Sequence, residues 1–406
     1  MKNIFYLLFL LVSLVQTPAA PVQNIEIVES VPVETTLDNP DIRNTLEVWL
    51  EMIGRARTTL DIEEFYISDE PGKMLEKVLA AITSAAARGV KTRILADAGM
   101  YKTYPASADL LARQKNIEVR RINFNAVAGG PQHAKYFIID GREVFIGSQN
   151  FDWRALEHIH ELGLRIVSDP LAAAFGDIFE FDWRLAALDP STAKSYPVNR
   201  KTYPIPFRVA GPAGETTELF PTFSPLNHIP DLALWDESAI VRLIDGAQRT
   251  LTLQFLSYSP EDRQGGRYAA IDDALRRAAG RGVRGRIIVS DWQKGTAAVA
   301  ALKSLAAVPN LEVAFTAIPG WTGGYISFAR VEHCKYIVAD STKFWLGTSN
   351  CEKSYYYGSR NLGIVCTSPG LGGTLARIFQ KSWNSPYRET ITQAGQYARR
   401  EHGEKK

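Results

Sequence analysis

An α/β fold of two tandem domains, each a mostly central mixed sheet flanked by helices, is predicted by three observations in this 406-residue chain. The second half repeats the first in order, each half alternates strand-like with helix-like runs, and a proline-crowded stretch separates the halves. Ala87-Arg88-Gly89-Val90-Lys91-Thr92-Arg93-Ile94 matches Gly280-Arg281-Gly282-Val283-Arg284-Gly285-Arg286-Ile287. His133-Ala134-Lys135-Tyr136 matches His333-Cys334-Lys335-Tyr336, and Gly147-Ser148-Gln149-Asn150 matches Gly347-Thr348-Ser349-Asn350. A fixed order at a nearly constant separation indicates a duplicated domain rather than scattered motifs.

From the N-terminus, Lys2 precedes an apolar run from Ile4 to Val15 and a small, turn-prone Thr17-Pro18-Ala19-Ala20. Residues 1–20 are expected to be a cleaved signal peptide, because the run is shorter than the ~20 residues that span a bilayer. This implies a secreted or periplasmic protein; the alternative is an uncleaved N-terminal membrane anchor. The first domain is expected over 39–188 and the second over 226–390, joined by a Pro-rich linker at 189–225 and followed by a charged, frayed tail at 391–406. Within the domains, amphipathic helices are expected at 42–56 and 238–247 and apolar strands at 59–66 and 250–258. Ala- and Arg-rich helices at 74–88 and 269–281 and strands at 91–96 and 284–290 follow.

Composition sets limits. A chain with 46% hydrophobic and 22% charged residues can fill two cores. A net charge of +2 excludes a strongly basic nucleic-acid coat, so any anion site must be local. The three cysteines, Cys334, Cys351 and Cys366, have neither zinc-site nor disulfide-framework spacing, and Cys334 should point away from its neighbours into a core.

Chemistry concentrates in the repeated motif His-x-Lys-x4-Asp-x6-Gly-[Ser/Thr]-x-Asn, present as His133, Lys135, Asp140, Gly147, Ser148 and Asn150, and as His333, Lys335, Asp340, Gly347, Thr348 and Asn350. On a strand, residues two apart share a face, so His133 and Lys135 should project together, as should Ser148 and Asn150. One imidazole, one ammonium, one hydroxyl and one amide per copy suit the oxygens of a phosphodiester. A lone strand histidine is usually structural; two in the same duplicated frame point to catalysis. Asp140 and Asp340 follow strands, where turn and hydrogen-bonding roles are common, and count as supporting residues. Gly147 and Gly347 are expected to serve close packing, and Trp183 and Trp383 to be core.

With both motifs complete, the chain resembles the phospholipase D superfamily from about 39 to 387. The resemblance implies a metal-independent phosphodiesterase in which one histidine attacks phosphorus to form a phosphohistidine and the other acts as general acid and base. Lys135, Lys335, Asn150 and Asn350 would hold the phosphate oxygens. No cofactor, metal or obligate protein partner is implied. In the family a carboxylate commonly orients the active-site imidazole; Glu161 stands after His133 where Asn361 stands after His333. His133 is therefore expected to be the nucleophile and His333 the general acid. Asn150-Phe151-Asp152-Trp153-Arg154 and Val331-x-His333-x-Lys335-Tyr336 look like the membrane-anchored, endolysosomal branch and related viral proteins. That branch implies single-stranded DNA or RNA as substrate. The alternatives are a phospholipase D or phosphatidyl transferase acting on lipid head groups with peripheral membrane contact, and an inactive phosphate-binding module. Aromatic loops holding Met100, Tyr101, Tyr104, Trp321, Tyr325, Phe328 and Tyr355–Tyr357 are candidates to shape the entrance.

Overall fold

A computed structural model describes residues 23–262 and 265–400; the expected signal peptide at 1–20 lies outside the described residues. In chain order the first half forms β1 (Ile25–Ser30), α1 (Thr45–Arg55), β2 (Thr59–Glu64), α2 (Met74–Ala87), β3 (Lys91–Asp97), β4 (Ile117–Ile122), β5 (Tyr136–Ile139), β6 (Glu143–Gly147), β7 (Ile159–Val167) and α3 (Asp169–Leu185). The sheet order is β1-β7-β6-β5-β2-β3-β4. Strands β2, β3 and β4 are parallel, and the other neighbours in this order are antiparallel, so the sheet is mixed as expected.

The second half repeats this with β8 (Phe207–Ala210), β9 (Thr216–Ser224), α4 (Asp236–Gly246), β10 (Thr250–Phe255), α5 (Ala270–Gly280), β11 (Arg284–Ser290), β12 (Leu311–Thr316), β13 (Val331–Glu332), β14 (Tyr336–Ala339), β15 (Lys343–Gly347), β16 (Asn361–Thr367), α6 (Pro369–Asn384) and β17 (Arg388–Thr390). Its sheet order is β8-β9-β16-β15-β14-β10-β11-β12-β17.

Period-two alternation sorts the motif strands between two cores. Tyr136 and Ile138 of β5 enter a central core, whereas Phe137 and Ile139 enter an outer one with Trp49 and Met52 of α1 and Val78 and Ile82 of α2. The central core is shared: Phe175 and Phe179 of α3 lie in it with Leu375 and Phe379 of α6 and with Tyr336 and Ile364. The two sheets thus sandwich α3 and α6. Trp183, Trp383, Cys334 and Cys366 also belong to this core.

Helix α1 starts at Thr45 rather than at 42 because Arg43–Asn44 pairs with β1, and the Asn44 side chain caps the helix by accepting from Leu46 N at 2.9 Å. The Asp140-Gly141 and Asp340-Ser341 turns have positive φ at both central positions and are closed by Arg142 N and Thr342 N donating to the Ile139 and Ala339 carbonyls at 2.9 and 3.1 Å, within three-residue connections.

Three expected segments differ. The stretch 189–225 is not only a linker: β8 and β9 belong to the second sheet, and β9 pairs with β16 from Glu218↔Thr367 to Ser224↔Asn361. Pro206, Pro221 and Pro225 obscured them, although β9 tolerates Pro221 within its ladder. The first sheet likewise begins at Ile25, before 39. The tail through Arg400 is docked, not frayed: Ile391 is buried, and Arg400 donates to Asp291 at 2.9 Å and to the Ile318 carbonyl at 2.7 Å.

The halves are stitched by backbone. Strand β13 runs parallel to β7, with His160 opposite Glu332, and Gln132 bridges Arg360. The Arg360 guanidinium makes a two-pronged ion pair with Asp182 of α3 at 2.6 and 2.8 Å, both side chains fully buried.

Candidate active site

Each motif histidine sits in the extended segment just before β5 or β14, where its backbone is tied to the other half. His133 N donates to the Arg360 carbonyl at 2.9 Å and His333 N to the His160 carbonyl at 3.0 Å. This crossed pairing brings both imidazoles to one cavity of about 670 Å³ at the seam. Its walls come from both halves: Phe65, Tyr66, Tyr104 and Arg154 from the first, Trp292, Phe328 and Tyr355 from the second. Asn150 lines it as well.

The ring partners are crossed too, which corrects the expected pairing of Glu161 with His133. Glu161 receives Nδ1 of His333 at 2.8 and 2.9 Å, and Asn361 Oδ1 lies 3.0 Å from Nδ1 of His133. The reason lies in the stitching: β7 carries Glu161 and pairs with β13, so the carboxylate lands beside the histidine of the opposite motif. The Asn361 amide is oriented by its neighbours. Its NH2 donates to the Tyr355 and Ser359 carbonyls at 3.0 and 3.3 Å, leaving Oδ1 to accept from the Thr348 hydroxyl at 2.9 Å and from His133.

Lys135 and Lys335 are fully buried, and each Nζ donates to its own histidine's carbonyl, at 2.7 and 2.6 Å. Asn150 and Asn350 donate to the Tyr66 and Tyr355 hydroxyls at 3.4 and 2.9 Å. The motif hydroxyls do something other than expected. The ladder ends at Gly147 and Gly347, period two lapses, and Ser148 and Thr348 turn inward to accept from the Leu162 and Leu362 amides at 3.1 and 3.2 Å. They position the strands carrying Glu161 and Asn361 instead of facing the cavity.

Asp140 and Asp340 lie at the far ends of β5 and β14. Asp140 accepts from the amides of Arg57, Thr58 and Thr59, and Asp340 from those of Gln248, Arg249 and Thr250. Both are latches at the start of a neighbouring strand, outside the site. Gly147 has the packing role expected, since a Cβ there would come within 2.9 Å of Gly163 Cα.

Burial and the neighbouring lysines set the electrostatics. Burial, then Lys135 and Lys335, push the His133 imidazole well below its ordinary value; burial, then Lys335 and Lys135, do the same to His333. Burial lowers Lys335 to about 8, and burial with the facing Lys335 charge lowers Lys135 well below its usual range. Burial raises Glu161, opposed by Lys335. An arriving phosphate would relieve the repulsion between the cations, so the site favours an anion.

One buried cluster beside the site was not legible in the sequence. The ring of His160 lies between Glu332 at 2.8 Å and Glu29 at 3.1 Å. Burial would lower its imidazole, but the acidic neighbours Cys334 and Glu332 raise it well above the ordinary value. His160, Glu332 and Cys334 have the atoms and closeness to hold a metal, within 4.8 Å of one another. Both ring nitrogens are already engaged by carboxylates, so the group is an ionic clasp between the halves. Phe65, Tyr66 and Trp292 were also missed; each follows a parallel strand, the same signal that pointed to Met100 and Tyr104.

Comparison with known proteins shows the family of the chain and relatives along most of its length. The family model described as "Cardiolipin synthase, PLD-like domain" matches residues 49–183 and 240–383. The chain is 28% identical over 390 residues to phospholipase D Z of Dictyostelium discoideum, covering 91% of each protein. It is 30% identical over 401 residues to the 5'-3' exonuclease PLD3 of Rattus norvegicus, covering 90% of this chain and 80% of that one. Phosphatidylserine synthase of Haemophilus influenzae superposes with a TM-score of 0.61 over 85% of each chain at 12% identity, a likeness of fold.

Proposed function

The chain belongs to the PLD-like domain family and is a phosphodiesterase of that superfamily, and from this premise we propose that it cleaves single-stranded nucleic acid through a covalent phosphohistidine. The observation carrying the chemistry is the shared cavity with an imidazole from each motif and two buried lysines beneath. The nucleophile is His333, reversing the assignment drawn from chain order. With Nδ1–H donated to Glu161, the His333 Nε2 lone pair is free to attack, and the carboxylate stabilises the positive charge that develops. His133 faces only a neutral amide, so its imidazolium surrenders a proton more readily.

Nε2 of His333 forms the P–N bond while the P–O bond to the leaving group breaks, and His133 delivers its proton to the departing oxygen. Water then attacks phosphorus, His133 takes a proton from it, and the P–N bond breaks. Lys135 and Lys335, with Asn150 and Asn350, stabilise the charge on the phosphoryl oxygens. This chemistry calls on no cofactor.

Support for a nucleic-acid substrate comes from the walls. Tyr66 and Tyr104 stack with ring centroids 5.2 Å apart, and the Arg154 guanidinium lies 5.7 Å from the Tyr104 ring centroid. Flat rings held in place by the Arg154–Asp152 ion pair suit the stacking of bases. The PLD3 relative's description as an exonuclease agrees. Lipid head groups are the second reading, favoured by Phe328, which lines the cavity and is 41% exposed.

The test offers purified protein, in EDTA, labelled single-stranded DNA, RNA, bis-p-nitrophenyl phosphate and phosphatidylcholine vesicles. Salt-sensitive turnover of the nucleic acids is expected. Turnover of vesicles alone would replace the substrate assignment, and no turnover of any substrate would overturn the enzyme reading. We further propose that residues 1–20 direct export, checked by N-terminal sequencing of protein recovered from outside the cytoplasm.

A further inference from the structure

The duplication makes each half a control for the other, and beside the first helix they differ in a way that the catalytic groups do not explain. Between α1 and strands β1, β6 and β7, six charged side chains interlock. Arg165 pairs with Glu26 at 2.8 Å and with Glu143; Arg43 pairs with Glu26 at 3.3 Å and with Glu51; Arg55 pairs with Glu51 at 2.7 Å. Strand register and helix position identify the counterparts in the second half. Phe220 stands for Glu26, Val365 for Arg165, Lys343 for Glu143, Arg242 for Glu51 and Gly246 for Arg55.

These replacements remove the ionic plug. In its place is a pocket of about 490 Å³ with a floor that includes Phe220, Leu243, Val365 and Pro206, and with Arg242 and Lys343 at the rim. Two carboxylates also line it, but both are committed. Glu218 pairs with Arg208 at 2.8 Å, and Asp340 accepts three backbone N–H groups. Arg242 donates to the Ser238 hydroxyl at 3.2 Å and the Ala233 carbonyl at 3.3 Å, and neither it nor Lys343 has an acidic partner among the described residues. An apolar floor beside two cations that form no ion pair is the complement of an amphipathic anion.

We propose that this pocket is a second binding site, separate from the catalytic cavity, for a small molecule with one apolar chain and one anionic head, phosphate or carboxylate. The chain lies on Phe220 and Val365, and the head meets Arg242 and Lys343. Because Asp340 and Lys343 flank the β14–β15 turn, at the far end of β14 from His333, binding does not require the catalytic groups.

The test is calorimetric titration of the full chain with dodecyl phosphate and with dodecanoate below their micellar concentrations, alongside dodecanol and dodecyltrimethylammonium. Saturable binding of at least one anion is expected; which one binds identifies the head. Affinity should fall at least tenfold in R242E/K343E, with turnover of bis-p-nitrophenyl phosphate unchanged. F220E/V365R, which restores part of the first half's ionic set, should also abolish binding. Should that variant fail to fold, the exposed pair R242E/K343E still decides. Absence of saturable binding by either anion, undiminished affinity in R242E/K343E, or equal binding of the alcohol or the cation would overturn the proposal.

Discussion

Glu161 in the first half holds Nδ1 of His333 in the second at 2.8 Å, while Asn361 holds Nδ1 of His133 at 3.0 Å. Each imidazole is oriented by the half to which it does not belong. Replacing Glu161 by Gln keeps the shape but removes the charge that steadies imidazolium at His333. Activity is expected to fall by ~10²-fold or more, mainly in kcat, with KM little changed. Asn361→Asp should be far milder. A Glu161→Gln variant with normal kcat would show that the carboxylate only packs.

The asymmetry also identifies the covalent intermediate. In His133→Asn the attack by His333 survives for an activated leaving group, so bis-p-nitrophenyl phosphate should give a burst of nitrophenolate and a phosphorylated peptide containing residue 333. His333→Asn should give neither. Mass spectrometry placing the phosphoryl group on residue 133 of the wild-type protein would restore the opposite assignment.

Burial lowers Lys335 to about 8. The group is charged below that value and neutral above it, so a cation needed for the phosphate is lost as pH rises through about 8. The pH profile of kcat/KM, which reports the free enzyme, should fall on its alkaline side near there. The limb in kcat should lie higher, because bound phosphate favours the ammonium. A profile level to pH 10 would exclude Lys335 as the titrating group.

The fully buried pair Arg360–Asp182 joins the second half to α3 of the first. Asp182→Ala leaves the guanidinium buried without its partner. A loss of ~3–5 kcal/mol is expected, measured by denaturant unfolding. A loss below ~1 kcal/mol would mean that water reaches the site.

Much of this was legible in the sequence. Duplication, strand and helix alternation, and the two His-x-Lys motifs follow from local spacing. Local patterns, however, carry no record of which half a strand pairs with. Chain order therefore points Glu161 to His133, the histidine before it, whereas β13 delivers His333 to it. Ser148 and Thr348 were misplaced for a related reason: the period of a strand was carried past the glycine at which the ladder ends. Strands β8 and β9 were hidden by prolines, and the His160 clasp draws its carboxylates from β1 and β13, far from His160 in the chain.

The crossed backbone pairing has a consequence for how the copies could diverge. In a symmetric pair of identical chains, both imidazoles would share one kind of partner and hence one proton affinity, although attack and proton delivery ask for different ones. Fusing the copies frees positions 161 and 361 to differ, and a carboxylate on one side with an amide on the other splits the labour. The same exchange binds their fates, since a change in either copy is felt first at the histidine of its twin.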